Sequence, residues 1–134
     1  MRSETITVTT GREPRVRDLT GECAGFVEPE QDGLLHVFVP HATAGIAILE
    51  TGAGSDEDLL AVLDDLLPRD ERWQHRHGSR GHGRDHVLPA FIAPSISVPV
   101  LGGALQLGTW QSICLVDTNV DNPERSVRLS FLPA

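Results

Sequence analysis

The 134-residue sequence predicts a single α+β domain: a largely antiparallel sheet or sandwich carrying two or three helices. Three observations predict it. Short alternating or apolar runs of strand length open the chain, one amphipathic helix stands in its middle, and everything after Pro94 reads as strands separated by Gly, Pro or Asn turns. The length matches one domain and is enough to bury a core without a disulfide or metal to hold it together.

Thr5-Ile6-Thr7-Val8-Thr9 alternates polar and apolar residues, the pattern of a half-buried strand, and Gly11 and Pro14 break it. Val16 to Val27 is weakly helical, with Asp18 or Thr20 as its cap. Gln31-Asp32-Gly33 is a turn, Leu34 to Val39 a strand ended by Pro40, and Gly45 to Glu50 another strand. Ser55 begins the clearest helix. Leu59, Leu60, Leu63, Leu66 and Leu67 recur at helical spacing, Ser55 and Asp58 have the spacing of a capping box, and Pro68 stops the run. Residues 69–85 read as a loop rich in Arg, His and Gly, and Val87 to Ala93 as a short helix or an extended link. Ser95 to Val100, Ala104 to Leu107, Ser112 to Asp117 and Ser126 to Phe131 complete the strands. Residues 1–134 show no internal repeat and no linker that would divide them.

Net charge is −8, so duplex nucleic acid and anionic membrane repel the chain on average. All eleven basic residues are arginine, and five of them fall between Arg69 and Arg84. Cys23 and Cys114 are far apart and form no metal-type pair, which suits reduced, buried thiols. The first residues lack an apolar signal core, and no apolar run approaches the ~18 residues of a membrane helix. A cytoplasmic protein is expected.

Four of the six histidines, His75, His77, His82 and His86, lie within twelve residues. Neutral imidazole is the commonest protein ligand for zinc and related ions, but a site needs three or four such groups to converge, and spacing alone leaves open which do. His36, between Leu35 and Val37, reads as structural. His77 and His82, beside Gly and Arg, read as exposed. His41 follows Pro40 at a strand end, and the small residues after it leave backbone amides and the Thr43 hydroxyl open to a ligand. Glu50 ends the next strand, where a carboxylate could bind metal or act as a base, or simply be solvated. The arginines among the histidines are either a solvated face or a phosphate cradle, with Arg76, Arg80 and Arg84 as its candidates.

Ser95 to Ile113, SISVPVLGGALQLGTWQSI, carries a longer signal. Ser95, Val98, Val100, Gly103, Gly108, Thr109, Trp110, Gln111 and Ile113 meet every position of a pattern ending in Gly-Thr-Trp-Gln and an aliphatic residue. The segment resembles the YjbQ-like family of small uncharacterised proteins, also called secondary thiamine-phosphate synthase enzymes. His41 to Glu50 is similar to the family's His-Thr-Ser/Thr-Ala stretch, and Trp73-Gln74-His75 with Asp85-His86 to its later histidine segments. Leu49 departs from the family's Asn before Glu50, and Val87-Leu88-Pro89 from its aliphatic-Lys stretch. The resemblance implies trimers of α+β subunits with sheets around a threefold axis, in which Trp110 is a core or interface residue. It also implies a site of His41, His75 and His86 able to hold a divalent metal ion, zinc or similar.

The activity implied by the resemblance joins a hydroxymethylpyrimidine diphosphate to a thiazole phosphate with release of pyrophosphate. The expected function is therefore a transferase acting on phosphorylated small molecules, with His41 and Glu50 as catalytic candidates. Thr43, Arg76, Arg80 and Arg84 are then phosphate contacts and His41, His75 and His86 metal ligands. The alternative is a non-catalytic trimeric module binding a phosphorylated metabolite. A metal-dependent hydrolase ranks last, because no His-Glu-x-x-His motif is present.

Overall fold

Two antiparallel sheets share one apolar core in the computed structural model, which describes residues 1–134. Strands β1 (Arg2–Thr9), β3 (Gly33–Phe38), β5 (Ser95–Leu101), β6 (Ala104–Leu105) and β8 (Glu124–Pro133) form the larger sheet in the order β1-β8-β3-β5-β6. Strands β2 (Arg15–Asp18), β4 (Ala44–Leu49) and β7 (Ser112–Asp117) form the smaller, in the order β2-β7-β4. Helices α1 (Thr20–Val27) and α2 (Ser55–Leu66) and two short 3-10 helices, His82–His86 and Leu88–Ala90, complete the chain. No helix is long and apolar enough to cross a membrane.

The alternation of side chains along a strand sorts the residues into layers. Val8, Leu35, Val37, Val98, Val100, Val127, Leu129 and Phe131 of the larger sheet meet Ile46, Ile113 and Leu115 of the smaller, and Cys23, Phe26 and Val27 of α1 close the same cluster. Central strand β7 is buried on both faces. Its Val116 packs the other way, into a second cluster with Leu63 of α2, with Leu67 just beyond the helix and with Leu88. The order is thus larger sheet, core, smaller sheet, then α2 with the segment 68–94. Gly45 makes that last layer possible: a Cβ there would lie 2.2 Å from the Ile92 carbonyl oxygen. The close approach lets Ile46 N–H donate to the Ala93 carbonyl at 2.8 Å.

Three local expectations change. The weak helix expected over 16–27 is a strand followed by a helix, because residues 15–18 pair with the edge of β7 (Arg15 opposite Asp117) before the chain turns at Leu19. Asp18 does serve the start of α1, its Oδ1 accepting from Thr20 N–H at 2.8 Å. The capping box expected at Ser55 and Asp58 is absent. Left-handed Gly54 caps α2, and Asp56, Glu57 and Asp58 instead put negative charge beside the helix's positive N-terminal end. Within the presumed loop 69–85, residues from His82 onward form a 3-10 turn buried against α2 and β7, which makes the exposed reading of His82 wrong.

Candidate metal centre

The site grows from the point where Pro68 ends α2. Trp73 Nε1–H donates back to the Pro68 carbonyl at 2.8 Å, folding the chain under itself and delivering His75. The 3-10 turn 82–86 then comes up against this segment. Gly83 permits the contact, since a Cβ at that position would lie 2.4 Å from Trp73 Cβ and 2.5 Å from the His75 carbonyl oxygen. The turn is held from its inner side by charged groups. Arg84 is buried and donates to Asp64 Oδ1 at 2.5 Å and to the Leu67 carbonyl at 3.1 Å. Asp85, fully buried, accepts from Thr118 Oγ1–H at 2.6 Å and from Arg69 at 3.3 Å. With Arg84 and Asp85 spent on the scaffold, His82 and His86 are left together, four residues apart.

His75, His82 and His86 offer one nitrogen each, all within 4.8 Å of one another. His82 Nε2 and His86 Nε2 face each other at 2.9 Å. His82 Nδ1 stands 2.9 Å from Asp121 Oδ2, somewhat off the line of an ideal hydrogen bond. A carboxylate only accepts, so the proton of His82 belongs on Nδ1 and its Nε2 presents a lone pair. His75 Nε2 is enclosed without a hydrogen-bond partner, an unmet polar atom unless something fills it. Burial, and then repulsion by the neighbouring imidazoles, lowers the pKa of both His75 and His86, favouring the neutral form that ligates metals. Tetrahedral zinc with bonds of ~2.1 Å needs nitrogens ~3.4 Å apart. The observed spacings require only small side-chain shifts, so the donor set fits a zinc-like ion with a fourth position left for another ligand. His77, exposed, has its ring 3.9 Å from that of His75 at the rim.

Comparison with known proteins places this geometry in a family. The pattern described as UPF0047 protein YjbQ-like matches residues 4–134. The chain belongs to the YjbQ-like UPF0047 family. A UPF0047 protein of Mycobacterium tuberculosis is 62% identical over 132 residues, covering 98% of each chain. The YugU UPF0047 protein of Bacillus subtilis is 32% identical over 117 residues, covering 82% of this chain and 84% of its own. Among solved structures, a hypothetical protein of Aeropyrum pernix superposes with TM-score 0.89 at 34% identity and complete coverage of both chains. A YbjQ-like protein of unknown function from Sulfolobus solfataricus superposes with TM-score 0.91 at 28% identity, covering 99% of this chain and 97% of its own.

This UPF0047 chain brings together some of the residues expected from sequence and separates others. His75 and His86 converge, but the third imidazole of the group is His82, not His41. His41 Nε2 is engaged by the Ser126 N–H at 2.9 Å, although His41 does share a cleft wall with His86. Glu50 is exposed at the far end of β4 from His41; six strand residues at ~3.3 Å each separate them by roughly 20 Å. Thr43 is buried, its hydroxyl accepting from Asn119 Nδ2–H at 3.3 Å, and is closed to a ligand. Arg84 is likewise lost as a phosphate contact, being locked inside the scaffold. Arg76 and Arg80 remain exposed beside His75 and line a pocket of about 310 Å³ with Asp70 and Glu71. Arg80 pairs with Glu71 at 2.8 Å there.

Asp121 is the residue that sequence reasoning missed. It lies between β7 and β8 and accepts from both the Ser79 N–H and hydroxyl at 3.1 Å while facing His82. Burial alone would raise its pKa, but the Ser79 hydrogen bonds and the charges of His82 and Arg69 bring it below the ordinary carboxylate value. In the sequence it is one polar residue of a turn, with no spacing that ties it to a histidine forty residues earlier.

Proposed function

We propose that His75, His82 and His86 hold a divalent cation of the zinc class and that the site handles a phosphorylated small molecule in a transfer reaction releasing pyrophosphate. The observation that carries this reading is the convergence of three imidazole nitrogens within 4.8 Å with one of them, His75 Nε2, buried and unpartnered. The ion would supply charge stabilisation to phosphoryl oxygens at its open position. Asp121 orients His82, the 3-10 turn keeps His82 and His86 together, and the exposed Arg76 and Arg80 offer guanidinium groups to anionic oxygens beside His75. The lack of a Lys after His86 leaves a pocket of different chemistry from that implied for its relatives, so the transferred group is open within the phosphorylated class.

A homotrimer is part of the same proposal. Trp110, in the Gly-Thr-Trp-Gln motif, is 72% exposed in the single chain, as are Leu101 at 54% and Phe91 at 58%. Aromatic surface of this extent supports an assembly partner, and excludes Trp110 from the core of its own chain. The same exposure fits equally the second reading, a trimeric binding module without turnover. Cys23 and Cys114, both buried free thiols with pKa pushed up to about 12 by burial, suit a cytoplasmic location.

Metal analysis of the purified protein, followed by zinc titration of H75A, H82A and H86A, tests the centre. One ion per chain, lost in each variant, is the expected result; equal zinc binding by all three variants overturns it. Pyrophosphate release from paired phosphorylated substrates that disappears in the same variants supports transfer, and binding without turnover favours the module.

A further inference from the structure

His41 stands outside the imidazole trio, and its one hydrogen bond restricts what it can do. Its Nε2 lies 2.9 Å from the main-chain N–H of Ser126, in good donor geometry. An amide N–H offers no lone pair, so Nε2 must accept and cannot carry a proton while the bond is made. A neutral imidazole then bears its proton on Nδ1.

The donor is not free to turn away. Ser126 sits in β8, paired with Thr7 of β1, and the preceding residue, Arg125, is buried with its guanidinium 2.8 Å from Asp117 Oδ2. Burial and the nearby Arg125 charge lower the His41 pKa, with Asp117 opposing more weakly, which favours the neutral ring. Nδ1 has no partner within the protein, and it is not sealed from solvent. His41 lines a cleft of about 480 Å³ together with Phe38, Pro89, Pro94 and, from the trio, His86.

We infer that His41 is a locked Nδ1–H donor and that the cleft it shares with His86 selects ligands presenting an acceptor oxygen of the phosphoryl class to that proton. The inference rests on the phosphate-handling reading of the site and gives His41 a different part from either expected one. It cannot ligate a metal or abstract a proton through Nε2 without giving up the Ser126 bond. A neutral donor in a cleft walled by Phe and Pro holds an oxyanion through a hydrogen bond strengthened by its apolar surroundings, without needing to surrender its own proton.

Two measurements test it. Long-range proton–nitrogen correlation spectra of ¹⁵N-labelled protein read the tautomer directly. A protonated Nδ1 and unprotonated Nε2 for His41 are expected, and the opposite or an averaged pattern overturns the inference. Calorimetric titration of the zinc-treated protein with inorganic pyrophosphate reads the ligand contact. H41N, whose amide N–H falls near the Nδ1 position, should stay within about threefold of the parent affinity, while H41Q and H41A lose at least tenfold. Unchanged affinity in H41A, or no pyrophosphate binding by the parent chain, overturns it. Zinc titration of the same His41 variants separates the two proposals. Parent-like zinc affinity with weakened pyrophosphate is the expected pairing. Failure of the parent to bind zinc while the Nδ1–H tautomer and the pyrophosphate losses persist sinks the metal centre and leaves the His41 assignment standing.

Discussion

Strand β7 and the turn 82–86 are both buried, by different physics. In β7 the run Ile113 to Val116 is sealed between a core on one face and α2 on the other, and its main chain is bonded to neighbours on both sides. Apolar burial of this kind has no direction and tolerates many side chains of similar volume. In the turn, the buried residues are His82, Gly83, Arg84 and Asp85, and each needs a particular partner. Arg84 needs Asp64, Asp85 needs Thr118 and Arg69, and Gly83 needs the absence of a side chain. The strand therefore sets how stable the molecule is, and the turn sets whether three imidazoles meet.

Substitutions on the two sides should separate these roles. L115A leaves a cavity in the core and should cost roughly 2–5 kcal/mol of unfolding free energy in urea, while the protein that remains folded binds its full complement of zinc. D85A should cost less, about 1–3 kcal/mol, because it leaves the Thr118 hydroxyl and Arg69 without their acceptor, and it should abolish zinc binding as well. Full zinc occupancy in D85A would break the comparison. G83A comes next. Its methyl must displace Trp73 or the His75 backbone, at about 1–3 kcal/mol, and zinc titration should show at least tenfold weaker binding.

D121N sharpens the contrast further, since it removes the carboxylate charge facing His82 without disturbing either apolar cluster. Zinc affinity should fall about 10–100-fold by competition with a chelating dye, with the urea midpoint almost unmoved. The smallest effect is the pH response of the metal-free chain. His75 and His86 have folded pKa values below the ordinary imidazole value of ~6.5. The unfolded chain consequently takes up more protons as pH falls through that value, and stability should decline toward acid until the folded histidines titrate too. Urea midpoints at pH 7.5 and 5.5 should show this decline, and H75N/H86N should flatten it; a rise in stability toward pH 5.5 would contradict it.

What could be read from the sequence follows the same division. Alternation at Thr5 to Thr9, the leucine spacing of α2 and the strand runs after Pro94 all record burial against a nearby apolar layer, and each element formed where expected. Those signals are local because hydrophobic periodicity is local. Strand β2 escaped because four residues, Arg15-Val16-Arg17-Asp18, carry too little pattern to outweigh the helical run that follows. The burial of His82 and Arg84 is invisible in the sequence for a stronger reason. Polar residues among glycines are usually solvated, and what buries these two is an acid twenty residues away in α2 and a carboxylate on the β7–β8 connection. Only the motif resemblance points to His75 and His86, and it points equally to His41, whose ring nitrogen belongs to Ser126.

The anchors of the 68–94 segment have one more consequence. Its ties run from Arg69 to Thr118, from Ser79 to Asp121 and from Arg84 to Asp64, spanning 49, 42 and 20 residues of chain. A synthetic peptide copied from 68–94 would contain every imidazole of the trio but not Asp64, Thr118 or Asp121, which anchor the turn and face His82. Grafted into another scaffold as a short insert, it would behave as a floppy histidine-rich tag, promiscuous toward soft cations. The convergence of the three imidazoles is thus a property of the finished tertiary structure, held by connections that lie before and after the turn in the chain.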